Sequence, residues 1–277
     1  MQLSFRGLPL KRAGKYRVAG KEKKRFTVEG LSFLTKKSSL AASQKKGIYM
    51  RFLILTDIHG NVSDLEKLDS EFKAADAVIF AGDFCECFKT ETSKPVLDAL
   101  VKKHDEIYAV LGNCDEPEFI EELEDSGINA ERTLNYTGGI AIVGSGGGSK
   151  FTGKTPNERD EDELVSDFDI LNQDEFNGDY SNVILVSHNP PKNTKCDAVT
   201  PDLHAGSEKF RALIEDKKPL AVVTGHIHEG AGTDRIGNTL VINSGCFGEN
   251  GTYGILEVEK NNGIWAVKTA EIKKIHK

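Results

Sequence analysis

Arg51-Phe52-Leu53-Ile54-Leu55-Thr56-Asp57-Ile58-His59-Gly60-Asn61 decides how this chain is read. Its apolar run predicts a buried strand over residues 51–56, and the polar Asp57-Ile58-His59 begins where that strand stops. Downstream the pattern predicts a helix over 62–74, a strand over 77–81, a helix starting near Pro95, a strand over 107–111 and a short acidic helix over 118–125. This is βαβαβ, the pattern of a parallel sheet covered by helices, so the fold class is α/β. A strand pair over 133–136 and 140–143, a helix over 161–171, a strand over 183–187, a helix over 208–215 and a strand over 221–224 extend the alternation. Residues 235–240 read as a tight hairpin, and 254–258 pairs with 264–269 across Asn261-Asn262-Gly263. Two packed sheets with helices outside are the expected architecture.

Polar motifs stand at five strand ends: Asp57-Ile58-His59, Gly82-Asp83, Gly112-Asn113-Cys114-Asp115, Ser187-His188-Asn189 and Gly225-His226-Ile227-His228. In open α/β sheets ligands gather beyond the carboxyl ends of the strands, so these segments are expected to converge. Residues i and i+2 of an extended chain share a side, which would let Asp57 with His59, and His226 with His228, each present two donors to one point. Asp83 is expected to lend one carboxylate oxygen to each of two metals. Imidazole, carboxylate and amide donors together suit borderline divalent metals, with manganese preferred and iron, zinc, nickel or cobalt as alternatives; no thiolate cluster belongs to the set. A paired centre would polarise a phosphoryl group and turn a water into hydroxide for in-line attack.

These blocks, in this order, resemble the calcineurin-like metallophosphoesterases, and the resemblance runs from Met50 almost to the C-terminus. It implies a four-layer αββα sandwich of two mixed sheets. It also implies one metal held by Asp57, His59, Asp83 and His228, and a second by Asp83, Asn113, His188 and His226. Ser187-His188-Asn189-Pro190-Pro191 and Gly225-His226-Ile227-His228-Glu229-Gly230 look most like a small prokaryotic branch of the family. Many members carry a leaving-group acid, His, after the Gly-Asn pair, and this chain has Cys114 there. The expected activity is hydrolysis of a phosphate ester, preferably a phosphodiester, with catalytic roles for Asn113 and His188 and substrate contacts from Asn113, Cys114 and His204. The substrate is expected to be a small phosphorylated molecule such as a nucleotide.

Charge supports the small substrate. Residues 1–50 hold 13 Lys or Arg against Glu22 and Glu29, a net of +11, which leaves the remainder at -18. An acidic body is poorly matched to nucleic acid. No apolar run approaches the roughly 18 residues of a membrane span, so neither membrane nor secretion is expected and the default location is the cytoplasm. The sequence leaves a homo-oligomer open. Residues 1–49 are read as a flexible basic extension, in which 25–34 would make one short strand, preceding a metallophosphoesterase domain over 50–277. An upstream start, a basic interaction tail and a transit peptide all account for it, and Met50, directly before the first strand, favours the first. Five cysteines without regular spacing predict reduced thiols, with Cys85 and Cys87 in local packing or at the surface and His104 and His276 as surface residues. Residues 148–155 fit the phosphate-loop pattern G-x-x-x-x-G-K-[ST], but Pro156 and the acidic stretch after it make a poor helix start. The alternatives to an enzyme are a non-catalytic interaction scaffold on the same fold and a nucleotide-binding protein that uses Lys154.

Overall fold

The computed structural model describes residues 48–151, 153–173 and 176–275. The predicted extension lies outside them apart from Ile48 and Tyr49, as do a short strand expected within 25–34 and His276. The strands of the two large sheets are β1 (Ile48–Leu55), β2 (Ala77–Phe80), β3 (Ile107–Ala109), β4 (Asn135–Thr137), β5 (Ile140–Ser145) and β6 (Val183–Ser187). They continue with β7 (Ala221–Thr224), β8 (Gly232–Ile236), β9 (Thr239–Asn243), β10 (Thr252–Asn261) and β11 (Ile264–Lys274). The five-stranded sheet runs β11-β10-β1-β2-β3 and the six-stranded sheet β8-β9-β7-β6-β5-β4. Within the first, β1, β2 and β3 are parallel; within the second, β5, β6, β7 and β9 are parallel. Antiparallel hairpins close every edge except that of β3, and Asn262 and Gly263 both take positive φ in the turn before β11, as a tight two-residue hairpin turn requires.

Alternation along each strand builds the layers. Phe52, Ile54, Ala77 and Ile79 meet Ile142, Ile184, Val186, Ala221, Val223 and Ile242 in one buried cluster between the sheets. Leu53, Leu55, Val78 and Phe80 face the other way, onto Phe72 of α1 (Asp69–Ala74), Leu97 and Leu100 of α2 (Ser93–Lys103) and Leu123 of α3 (Ile120–Asp125). Val183, Leu185 and Val222 likewise cover Phe210 and Ile214 of α5 (Glu208–Lys217). A strand buried on both faces reads as a continuous apolar run, which is why residues 51–56 and 183–187 stand out in the sequence. The result is the four-layer αββα sandwich.

Two helices are shorter than their patterns. Over 62–74 a 3₁₀ turn, Leu65–Leu68, precedes α1, because Asn61 first bonds the Gly248 carbonyl and Ser63 bonds Asn61. Over 161–171 the helix α4 (Glu161–Ser166), started by a capping box of Asp160 and Glu163, stops at Asp167. Asp167 is buried and accepts both guanidinium nitrogens of Arg159 and the Ser145 hydroxyl, so its side chain ties the loop over 146–159 to the end of β5.

Candidate metal centre

The parallel strands deliver their C-terminal residues to a single cluster. Beyond β1 come Thr56, Asp57 and His59; beyond β2, Asp83; beyond β3, Asn113; beyond β6, His188; beyond β7, His226 and His228. The His59 Nε2 lies 3.7 Å from Asp57 Oδ1, 3.7 Å from Asp83 Oδ2 and 3.4 Å from His228 Nε2. His228 Nε2 is 3.3 Å from Asp57 Oδ1. On the other side, His188 Nε2 is 3.5 Å from Asp83 Oδ2 and 2.9 Å from Asn113 Oδ1, and its ring centre is 5.2 Å from that of His226.

The surroundings fix which atoms face inward. His59 Nδ1 donates to the Cys85 carbonyl at 3.0 Å, and His188 Nδ1 to the Ala81 carbonyl at 2.7 Å, so both rings turn a lone pair at Nε2 into the cluster. Asp57 Oδ2 is taken by the Thr56 hydroxyl at 2.6 Å and the His226 backbone N–H at 3.2 Å, which leaves Oδ1 to the site. Asp83 Oδ1 accepts from the Cys114 backbone N–H at 2.8 Å, so Oδ2 alone reaches both histidines. The expectation was one carboxylate oxygen for each metal; here one oxygen is engaged by the backbone and the other is the one near both histidines. Gly112 permits this approach, since a Cβ there would overlap Asp83 Oδ1.

The backbone corrects a second expectation. Asp57, His59, Asp83 and His226 have φ of 52°, 47°, 59° and 68°, so Asp57–His59 and His226–His228 are not extended pairs sharing a side. Left-handed turns aim these side chains, and the Asp57 and His59 N–H groups bond the carbonyls of Gly82 and Asp83 across the loops.

Lone pairs facing lone pairs call for a cation, and the titration behaviour agrees. Burial would raise Asp57, yet its hydrogen bond with His228 and the charges of the histidines hold it well below the usual carboxylate range. The hydrogen bond to Asp57 lifts His228 to about 11; burial opposes charge on His188, but Asp83 raises it to about 9. Burial, with the charge of His188, pushes His226 down to about 4. The donor set therefore fits divalent ions, which Asp57, His59, Asp83, Asn113, His188, His226 and His228 would hold.

The sequence profile of the calcineurin-like phosphoesterases matches residues 50–230. This chain belongs to that family. Its members are metal-dependent hydrolases of phosphate esters, so the family implies divalent metal ions. An uncharacterized protein of Methanocaldococcus jannaschii is 34% identical over 219 residues, which are 77% of this chain and 94% of that one. The crystal structure of TT1561 of Thermus thermophilus has a TM-score of 0.59 at 17% identity, over 82% of this chain and 99% of that one. The calcineurin-like phosphoesterase YfkN of Bacillus subtilis gives 0.53 at 14% identity, over 83% and 91%. The phosphopantetheinyl hydrolase of Mycobacterium tuberculosis gives 0.53 at 16% identity, over 72% and 91%.

Several residues fall differently from the sequence reading of this phosphoesterase. Cys87 and Cys114 form a disulfide with Cα atoms 4.8 Å apart, which corrects the expectation of five reduced thiols: the loops after β2 and β3 bring them together. Thiols are also closer to the cluster than expected, since Cys246 lies within 4.8 Å of donor atoms of both His59 and His228. Ser244-Gly245-Cys246 follows β9 as the other motifs follow their strands, and that position was the signal to notice. Asp115 acts as a fastener. It is wholly buried and accepts the backbone N–H groups of Gly112, Phe84 and Cys85. His204 is half-buried on a short ladder after His188 and bonds Asp197, 2.7 Å away, which in turn organises the loop by accepting from the Asn193, Thr194 and Gly206 N–H groups. His104 is partly buried rather than a plain surface residue, its ring bonded to the carbonyls of Glu106 and Ala75. In the loop that fits the phosphate pattern, the N–H groups of Phe151, Gly153, Lys154 and Thr155 converge on the Glu158 carboxylate, so the chain's own anion fills the place a phosphate would take. Among the described residues no helix is long and apolar enough to cross a membrane.

Proposed function

We propose that this chain is a dinuclear-metal phosphodiesterase acting on a small organic phosphate such as a nucleotide, with Asp57, His59, Asp83 and His228 on one metal and Asp83, Asn113, His188 and His226 on the other. The observation that carries the proposal is Asp83 Oδ2, which approaches both His59 Nε2 at 3.7 Å and His188 Nε2 at 3.5 Å, as a carboxylate shared by two ions would. Divalent ions bound there supply Lewis-acid polarisation of the phosphoryl group and an activated water for in-line attack. The chain's own residues do the positioning. Asn113 sets its amide oxygen beside His188, and its carbonyl is held by the Asn157 N–H at 3.1 Å, so the loop over 146–159 frames the substrate side of the site. His204, oriented by Asp197, and Cys114 are placed at the substrate in this reading. The carboxylate and amide oxygens of the set suit manganese, the metal taken in this reading, while its imidazoles also suit iron, zinc, nickel or cobalt.

A neutral sulfur at position 114 supports the diester preference. A monoester carries more negative charge and gains more from an imidazolium beside its leaving group. The acidic body supports a small substrate over a nucleic acid, and with all seven donors present an inert scaffold on this fold is not favoured. The test is a screen of phosphomonoesters and of linear and cyclic phosphodiesters with several divalent metals, run on the chain and on Asp83→Asn. Hydrolysis is expected to be metal-dependent, strongest with manganese and on diesters, and about 10²–10³-fold slower in Asp83→Asn with the circular dichroism unchanged. Full activity of demonstrably metal-free protein would refute it.

A further inference from the structure

The disulfide joins two loops that each carry a proposed metal ligand. Cys87 follows Asp83 by four residues and Cys114 directly follows Asn113, with their Cα atoms 4.8 Å apart, inside the span of roughly 4.4–6.8 Å that a bridge requires. The sulfur of Cys114 also lies within 4.8 Å of donor atoms of both His59 and Asp83. Cys87 is half-buried and open to a reagent, whereas Cys114 is buried. The backbone of both loops is held independently of the bridge: Asp115 accepts from Gly112, Phe84 and Cys85, the Cys85 sulfhydryl donates to the Cys114 carbonyl at 2.9 Å, and the Cys85 carbonyl holds His59. Opening the bridge therefore frees two sulfurs and leaves the ligand frame in place.

We propose that Cys87 and Cys114 are a reversible thiol–disulfide pair that decides whether Cys114 offers the metal centre a sulfur donor, in addition to the free Cys246 near His59 and His228; the inference rests on the dinuclear reading above. With a small disulfide as oxidant, the Cys87 sulfur attacks one reagent sulfur and the first reagent thiol leaves. The Cys114 sulfur then displaces the second reagent thiol from Cys87. Two protein S–H bonds and one reagent S–S bond become one protein S–S bond and two reagent thiols, and the chain gives up two electrons to the reagent. In the bridged state the Cys114 sulfur is occupied. In the dithiol state it joins His59 and Asp83 as a third donor and draws the centre toward softer metals.

The full chain, freed of metal, is treated with oxidised glutathione or with a phosphine reductant, and thiols are counted by alkylation after denaturation. Five are expected in the reduced chain and three, from Cys85, Cys196 and Cys246, in the oxidised one. Cobalt(II) is then titrated in. The sulfur-to-cobalt absorption is expected to rise on reduction by the intensity of one sulfur ligand, to be high without reductant in Cys87→Ser, and to lose its redox dependence in Cys114→Ser. Five thiols after oxidation, or the same absorption in both states of the wild-type chain, overturns the proposal. No reading depends on turnover, so absent hydrolysis would count against the phosphodiesterase assignment alone, whereas absent cobalt binding would defeat the donor role of Cys114.

Discussion

Cys114 stands at a position where many relatives are expected to hold a proton-donating imidazole, and its sulfur offers little help to a strongly basic leaving group. General-acid assistance is typically worth about 10²–10⁴ in rate, with the larger share on poor leaving groups. Cys114→Ala is therefore expected to keep most diesterase activity, within about threefold on nitrophenyl esters, whose leaving group departs unaided. Cys114→His is expected to raise turnover of alkyl diesters by about tenfold or more. Steady-state rates across a series of leaving groups check both, and loss of all turnover in Cys114→Ala with metals bound would show that the sulfur reacts directly. The residue types at the site were legible in the sequence because acids, imidazoles and an amide recur together at five strand ends, although one of those acids, Asp115, is a structural fastener. Their aim was not. The letters Asp57 and His226 permit a left-handed φ without requiring one, and the partners that orient Asp83 and His59 are backbone groups of Cys114 and Cys85, which are not specific to cysteine.

Among the elements, Glu131 links the ends of β3 and β5. It is buried, its carboxylate accepts the Leu111 N–H at 2.7 Å, and burial pushes it up to about 7 from an ordinary 4.5. A carboxyl that keeps its proton longer when folded favours the folded state at low pH. Between pH 4.5 and about 7 the unfolded chain releases the proton and the folded chain retains it, so stability falls as pH rises through that window and levels off above it. The loss is at most about 3 kcal/mol. Glu131→Gln keeps an acceptor for Leu111 and is expected to remove this slope and to melt higher at neutral pH. Thermal denaturation of both chains from acid to neutral pH decides it, and parallel curves would contradict it. β1 raises a separate point, because it begins at Ile48 and not at the predicted residue 51. Ile48 and Tyr49 pair with Lys260 and Glu259 but are largely exposed. A chain beginning at Met50 is expected to fold and to melt about 2–4 °C lower in calorimetry, corresponding to roughly 1 kcal/mol; a loss beyond about 10 °C would show that the preceding segment is packed. Strands were the legible elements because burial on both faces leaves an unbroken apolar run, as in β6 and β7, whose bounds match their prediction. Helix ends were not, because side-chain bonds from Asn61, Ser63 and Asp167 stop or delay them and no periodicity reports those.

For the whole molecule, the donors come from both sheets, with Asp57, Asp83 and Asn113 following strands of one and His188, His226 and His228 following strands of the other. An ion bound among them is bound only by the assembled sandwich, so metal is expected to stabilise the fold as well as to serve the chemistry. At about 100 times its dissociation constant a ligand of the native state adds about 2.7 kcal/mol, or about 5–10 °C for a chain of this size. Scanning calorimetry with chelator and then with manganese should show that rise, diminished in Asp83→Asn, and an unchanged melting temperature would deny the coupling. The left-handed backbone under four of the donors carries the matter into descent. At such a φ, Gly, Asn, Asp and His are the residues at ease, and three of those four can ligate a metal. Positions 57, 59, 83 and 226 thus draw from a short alphabet before any ion is considered. A lineage that abandoned hydrolysis would be released from the metal but not from the turn, and its site would drift toward Asn and Gly, leaving a recognisable fossil of the centre in the sequence.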